Sequence, residues 1–480
     1  VTVPDARTPR AATVRKDQRQ RAPRQAMSSD DVAHALERAR VLARAGDDEA
    51  AKQAYLEVLQ RDATQFDALN EVAALAYASG HRSAARTAYK QAVMCHPSNP
   101  VARVNLGNLL FEDGDLSDAE TQFRAALRVD PDLPEAHQGL ARVLAEVSDK
   151  AAALHWQKGF AGHAVVTRQY RGPGPSVPLL LLVDTGGGNV PTQQWIDERR
   201  YAVTAVYTEF YDPIHPLPPH AVVVNAVGDA DRCPAALARA ERVLALTDKP
   251  VINPPARVRA TGRVENARRL ARVPGVITPE TRLLSRAALL AAGDLRFPLL
   301  LRAPGYHTGE HFLHVADRAA LAEAAAALPG EDVLAIEYLD ARGPDGMARK
   351  YRVMFIDGVA YPLHLAISAD WKVHYFTAGM ATNAAHRAEE RRFLDDMPAV
   401  LGARAMEALA GVGAALGLDY GGVDFALAPD GSLLLFEANA TMVIITPEPD
   451  PIWDYRRGAI DAALAAARRM LARRAGCGET

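Results

Sequence analysis

Between Asp31 and Phe160 the chain matches itself when shifted by 34 residues. Gly46, Gly80 and Gly114 fall in register, as do Ala51, Ala85 and Ala119 and the aromatic positions Tyr55, Tyr89 and Phe123. The same shift relates Ala39, Ala73 and Gly107, and also Val58, Ala92 and Ala126, while Pro97 and Pro131 close their units. A unit of this length cannot bury its apolar face alone, so neighbouring units must stack. Small residues let two antiparallel helices approach, an aromatic side chain fills the gap between them, glycine permits the turn and proline ends the second helix. A fourth, weaker unit runs through Ala141, Ala153 and Phe160.

These coincident positions resemble the tetratricopeptide repeat (TPR), which implies an all-α solenoid over 27–165. Arrays of this kind present a concave face to a peptide or protein partner, and a spacer or a dimerisation surface stays open as the alternative. Trp156 and Phe160 are candidates for docking the last helix on the next domain, with packing inside the final unit as the other reading. Arg171-Gly-Pro-Gly-Pro-Ser176 then breaks all periodicity, so 166–176 reads as a linker.

Residues 1–26 carry seven arginines or lysines among Pro and Gln with no apolar run, and read as a disordered tail, a targeting peptide being the alternative. Met27 precedes Ser28 and Ser29, good helix N-caps, and is a candidate natural start. At 480 residues two or three domains are expected, and 49% hydrophobic with 24% charged residues describes a folded chain. A net charge of −3 supplies no basic excess to displace counterions from a phosphate backbone, so nucleic acid is not expected as a partner. Three cysteines without a CxxC pair argue against a zinc site or a disulfide framework and fit a cytoplasmic protein. The apolar run Val177 to Val183 is far short of the roughly 20 residues of a membrane span, so it reads as a buried strand and no membrane partner is expected.

From 177 short apolar strands alternate with helical stretches: Leu179 to Val183, Ala202 to Val206, Ala221 to Asn225, a helix over Pro234 to Leu246, then Val251-Ile252. Interleaved strands and helices imply a mainly parallel sheet covered on both faces, with ligands at the strand C-termini. Gly186-Gly187-Gly188-Asn189 could cradle an anion with its backbone N–H groups or simply turn the chain, and Asn225 to Asp229 with Asp231 could hold substrate or cap the next helix.

The richest stretch is Gly421-Gly-Val-Asp424-Phe-Ala-Leu-Ala-Pro-Asp430-Gly431-Ser-Leu-Leu-Leu-Phe436-Glu437-Ala438-Asn439. Two alternating segments flank Pro429-Asp-Gly431, a hairpin signal, and antiparallel pairing would bring Asp424, Glu437 and Asn439 to one end. Glu437 and Asn439 interrupt an otherwise apolar strand, and buried carboxylates require partners. Three oxygen-bearing side chains there suit magnesium bridging nucleotide phosphates.

An Asp thirteen residues before a Glu-x-Asn resembles the metal-binding signature of the ATP-grasp ligases, the group that includes D-alanine:D-alanine ligase and the glutamate-adding ligases. The resemblance implies Asp424, Glu437 and Asn439 as the metal set and ATP with Mg2+ as cofactors. It also implies that Arg263, following Asn253-Pro-Pro and Gly262, and Arg302, closing Phe297-Pro-Leu-Leu-Leu, bind phosphate. Both stand where the family has Lys; the charge is kept, but a planar fork replaces a point charge. Gly305, His307 and Gly309 fall in the phosphate-covering loop, and Glu337, Tyr338 and Leu339 in the segment that receives adenine and ribose. Lys350 and Arg352 precede Val353 to Ile356 and Asp357-Gly358, as in the family segment whose Arg contacts phosphate or substrate; for Lys350 and Arg349 a solvated face is the alternative. His364, Lys372 and His374 lie in a stretch rich in functional groups, and with Arg352 they form the expected catalytic set, ordinary hydrogen-bonded histidines being the alternative.

The expected architecture is multidomain: an all-α TPR solenoid, an α/β pre-ATP-grasp lobe over 177–252, and an α+β ATP-grasp domain over 253–472 with a short tail at 473–480. The expected activity is that of a carboxylate-amine ligase forming an acyl phosphate that an amine captures, the repeats recruiting a peptide or protein. A kinase releasing a phosphorylated product and a nucleotide-regulated adaptor stay open.

Overall fold

The computed structural model describes residues 29–146, 149–306, 309–373 and 378–478. The chain divides into two compact units, Val1–Asp113 and Gly114–Thr480.

The first unit consists of α1 (Ser29–Arg44), α2 (Asp48–Arg61), α3 (Phe66–Ala78), α4 (Arg82–Cys95) and α5 (Pro100–Glu112). The repeat positions do what their residue types require. Ala39, Ala51, Val58, Ala73, Ala85 and Ala92 are completely buried between helices, and Tyr55 fills the space beside them. Gly46 and Gly80 hold φ near +76° and +79° in the turns between paired helices, a conformation that side chains with a Cβ resist. Asp47 and Asn99 cap α2 and α5, and Pro100 opens α5 where no N–H is needed.

The second unit opens with α6 (Leu116–Val129), α7 (Pro134–Ala145) and α8 (Asp149–Phe160). Ala119, Phe123 and Ala126 keep the repeat register and are buried, and Gly139 of α7 lies so close beneath the Phe123 ring that a Cβ there would overlap it. The fourth unit departs from the expected register: Ala153 is exposed and Ala152 is buried instead. The reason is Phe160, which packs on Tyr207 and Phe210 at ring-centroid distances of 4.3 and 5.1 Å and so sets the rotation of α8. Trp156 touches Phe160 but makes no ring contact with the α/β elements among the described residues. The last repeat helices and the sheets both fall within Gly114–Thr480. The first strand overlaps the start of the segment 166–176 that reads as a linker: β1 (Val165–Thr167) pairs antiparallel with residues 204–206.

β2 (Val177–Val183), β3 (Tyr201–Tyr207), β4 (Val222–Asn225) and β5 (Val251–Ile252) are mutually parallel and form, with β1, a sheet of order β1-β3-β2-β4-β5. Leu179 and Leu181 face one core while Leu180 and Leu182 face another, which is why this strand reads as a continuous apolar run. α9 (Pro234–Leu244) covers the second face with Ala240 and Val243.

After α10 (Pro255–Arg259), α11 (Arg263–Leu270) and β6 (Val276–Ile277) the topology turns antiparallel. β7 (Thr281–Ser285), α12 (Arg286–Ala291), β8 (Leu299–Arg302), β9 (Phe312–Val315), α13 (Leu321–Ala326) and β10 (Asp332–Glu337) make a four-stranded sheet of order β7-β10-β8-β9. β11 (Ala348–Ile356), β12 (Val359–Ser368), α14 (Ala384–Asp395), α15 (Met397–Leu416), β13 (Tyr420–Leu427), β14 (Leu433–Asn439) and α16 (Asp454–Arg474) complete the fold. The third sheet runs β12-β11-β13-β14-β6, antiparallel except for β6 beside β14. Tight connections at Asp357-Gly358 and Asp430-Gly431 produce these hairpins, so the expected parallel sheet is confined to the first one. α15 is long and apolar enough by length and composition to cross a bilayer, and it lies with Leu401, Leu409 and Val412 in the core under the third sheet.

Candidate functional site

The third sheet aligns four polar side chains in one register row: His364 on β12 pairs with Arg352 on β11, Arg352 with Asp424 on β13, and Asp424 with Glu437 on β14. Side chains opposite one another on antiparallel strands share a face, so the row is fixed by hairpin register. Asn439 stands two residues beyond Glu437, opposite Gly422. The hairpin therefore gathers Asp424, Glu437 and Asn439 as its spacing predicts.

Each carboxylate is held by cations. Arg352 donates Nε to Asp424 Oδ1 at 2.7 Å and Nη2 to Oδ2 at 2.8 Å, and Lys350 Nζ lies 3.1 Å from Oδ2. Burial by itself would raise the Asp424 carboxyl, and the charges of Arg352 and Lys350 overcome that and hold it well below the usual carboxylate range. Arg263, the first residue of α11, reaches Glu437 Oε1 with Nη2 at 2.6 Å. Burial disfavours its charge, but Glu437, Asp231 and Asp229 outweigh burial and raise it.

These groups line one cavity of about 560 Å³. Arg263, Arg302, Lys350, Arg352, Asp424, Glu437 and Asn439 stand at its walls, together with Gly309 and Lys372. Glu337, Tyr338 and Leu339 border it at the end of β10, with Glu337 Oε2 taking the Glu280 amide at 3.0 Å. Lys372 Nζ donates to the Gly309 carbonyl, which ties the connection after β12 to the loop after β8. Gly305 lines a smaller adjoining pocket with Asp229, Asp231 and Arg263. His307 and His374 lie outside the described residues. His364 is not brought into the cavity: it is 3% exposed, at the far end of the row, and burial together with the charge of Arg352 keeps its imidazole neutral.

Asp424 and Glu437 offer the hard oxygen ligands that magnesium takes. Asn439 is engaged differently, with Nδ2 on Glu437 at 2.9 Å and Oδ1 accepting from the Thr441 amide and hydroxyl, so in this structure it braces Glu437. Among the described residues no group of three His, Cys, Asp or Glu side chains stands where it could hold a metal, here or elsewhere.

Around the first sheet, Gly188 and Asn189 reach the cavity, but the Asn189 amide is spent on the Asp184 backbone. Asp229 accepts from the amides of Asp231 and Arg232 and so holds the turn ahead of α9, whose N-cap Cys233 has no side-chain cap, while Asp231 caps α11 by accepting from the Arg263 amide; both acids border the smaller pocket. Asn225 binds the Asn253 carbonyl and is structural. Sequence reasoning missed Phe312 and Trp371 and the apolar wall of Met442, Val443 and Ile445. Apolar side chains carry no motif, although Trp371 sits beside Lys372 in a stretch rich in functional groups.

The Tetratricopeptide repeat family model matches residues 76–152, and with the repeat geometry this makes the N-terminal region of about 31–160 a TPR array. No curated protein matches the chain. Among solved structures, a MamA fragment from Desulfovibrio magneticus RS-1 is 22% identical, with 28% of this chain and 76% of that one covered at a TM-score of 0.25. The first TPR of Spaghetti bound to an HSP90 peptide is 17% identical, with 26% and 98% covered at 0.25. A mutant Thermobaculum terrenum O-GlcNAc transferase is 20% identical, with 48% and 43% covered at 0.29.

Proposed function

We propose that the region from about 253 to 472 is an ATP-grasp carboxylate-amine ligase, that 177–252 is its pre-ATP-grasp lobe, and that the TPR array recruits a peptide or protein substrate or partner. The observation that carries this reading is the convergence of five cationic side chains and two register-paired carboxylates on one cavity that the Glu337–Leu339 segment also borders. A site that binds a polyphosphate with divalent metal needs both signs of charge close together, and a merely structural ion-pair network has no need of a cavity that size.

In the proposed reaction a substrate carboxylate oxygen bonds to the γ-phosphorus, the bond to the β,γ-bridging oxygen breaks and ADP leaves. An amine then attacks the acyl carbon, inorganic phosphate departs, and the amine loses a proton to solvent. Magnesium bound with the nucleotide would neutralise phosphate charge, held by Asp424 and Glu437. Arg263, Arg302 and Arg352 orient the phosphates and stabilise the charge that develops on them. Arg352 and Lys350 keep Asp424 ionised, so it is ready to ligate at any physiological pH.

The test is magnesium–ATP binding to the full chain by calorimetry, followed by ADP and phosphate release with a panel of amino acids and peptides in hydroxylamine. Hydroxamate formed with ADP supports the ligase. A stable phosphorylated product without hydroxamate favours a kinase, and absence of nucleotide binding removes the reading.

A further inference from the structure

We propose that Phe312 is a positioning residue for Arg302, and that the two together form an anion receptor in the cavity wall. The ATP reading supplies only the identity of the anion, a nucleotide phosphate. Arg302 and Phe312 are direct partners across β8 and β9, and the guanidinium carbon lies 5.3 Å from the centre of the phenyl ring. Both side chains line the cavity.

Arg302 is 7% exposed. Its Nη2 donates to the Tyr306 carbonyl at 2.5 Å, and its Nε is buried with no hydrogen-bond partner among the described residues. A buried guanidinium with an idle donor is costly unless something completes it, and on a cavity wall the completing group is an anion. Burial, and then the like charge of Arg263, lower Arg302 to about 10, so the site is cationic and underpaired.

The geometry also accounts for arginine rather than lysine here. A planar fork can rest its face on a ring, give one corner to a loop carbonyl and keep another edge for a ligand; a single ammonium on a flexible stem cannot hold all three. The ring is fixed in turn, because Trp371 packs edge-on against Phe312 at 5.4 Å and 62°. Phe312 thus sets the plane of the guanidinium, and the Tyr306 carbonyl sets its rotation within that plane.

The experiment titrates the full chain with magnesium–ATP in F312L, F312M, F312Y, R302K and the F312L/R302K double variant, with an unfolding midpoint for each. Leucine and methionine remove the ring while keeping apolar volume. Each should weaken binding about tenfold, F312Y should restore it, and R302K should weaken it at least as much. The double variant should be no weaker than R302K alone, because the ring acts only through the guanidinium. Wild-type affinity in folded F312L and F312M, or a double variant that multiplies the two losses, overturns the proposal. If the wild type binds no nucleotide, the functional reading fails by itself, and inorganic pyrophosphate becomes the probe. The same pattern with pyrophosphate sustains the receptor, and a wild type that binds no pyrophosphate overturns it too.

Discussion

Asp424 and Glu437 face one another across the β13–β14 ladder, and separate cations hold them: Arg352 and Lys350 take Asp424, and Arg263 takes Glu437. Two carboxylates at adjacent register positions would repel. The surrounding guanidinium and ammonium groups offset that repulsion, and at Asp424 they hold the carboxyl well below the usual carboxylate range.

This arrangement predicts that Asp424→Asn and Glu437→Gln each reduce magnesium-dependent ATP turnover by at least about a hundredfold, on the scale of losing one charge-stabilising group. Asp424→Asn should also destabilise the fold by about 3 kcal/mol, because Arg352 and Lys350 lose a buried counter-charge. Steady-state kinetics and urea unfolding check the two effects separately. Retained turnover in both variants would remove the metal assignment.

A second prediction concerns Asp184, whose carboxyl is pushed up to about 8 by burial and then by the neighbouring Glu209. The folded chain therefore holds a proton that the unfolded chain releases near pH 4. Its contribution to stability is complete below that pH, falls as pH rises, and is gone above about 8. Asp184→Asn should flatten the decline in unfolding free energy across that window and be the more stable protein at its upper end. Urea titrations from pH 5 to about 8.5 measure the slope.

Phe160 carries the contact of α8 with the end of β3 and the loop that follows it. Phe160→Ala should cost about 3 to 5 kcal/mol by leaving a cavity beside Tyr207 and Phe210. Hydrogen exchange should accelerate in α7 and α8 more than in the third sheet. Uniform acceleration across the whole unit would show that the helices do not open separately.

Gly139 lies beneath Phe123, so Gly139→Ala forces the ring out of the α6–α7 interface although alanine favours a helix. The expected cost is about 1 to 3 kcal/mol, the overpacking penalty exceeding the helix-propensity gain. A raised thermal midpoint would contradict the packing.

Much of this was legible in the chain itself. The 34-residue repeat located the helix pairs because burial, turning and termination each demand a residue type at a fixed offset, as Ala85, Gly80 and Pro97 illustrate. The hairpin around Asp430-Gly431 likewise fixed a register, and with it the meeting of Asp424 and Glu437. His364 shows the limit. Its place on β12 was readable as part of a strand, but whether a strand residue faces a ligand or a covering helix depends on elements far away in sequence. Here α14 and α16 pack against that strand and remove it from solvent. Ala153 failed for a similar reason, since Phe160 rotates α8 to meet side chains some fifty residues later.

Sequence by itself thus determined which segments pair locally, because turn chemistry and side-chain period act over a few residues. Only the tertiary structure decided which charges share a partner, that Arg263 reaches Glu437 across 174 residues, and that Phe312 and Trp371 wall the cavity. Those relations depend on how three sheets are brought together, and apolar packing between distant segments, which sets that arrangement, leaves no short-range signature in the chain.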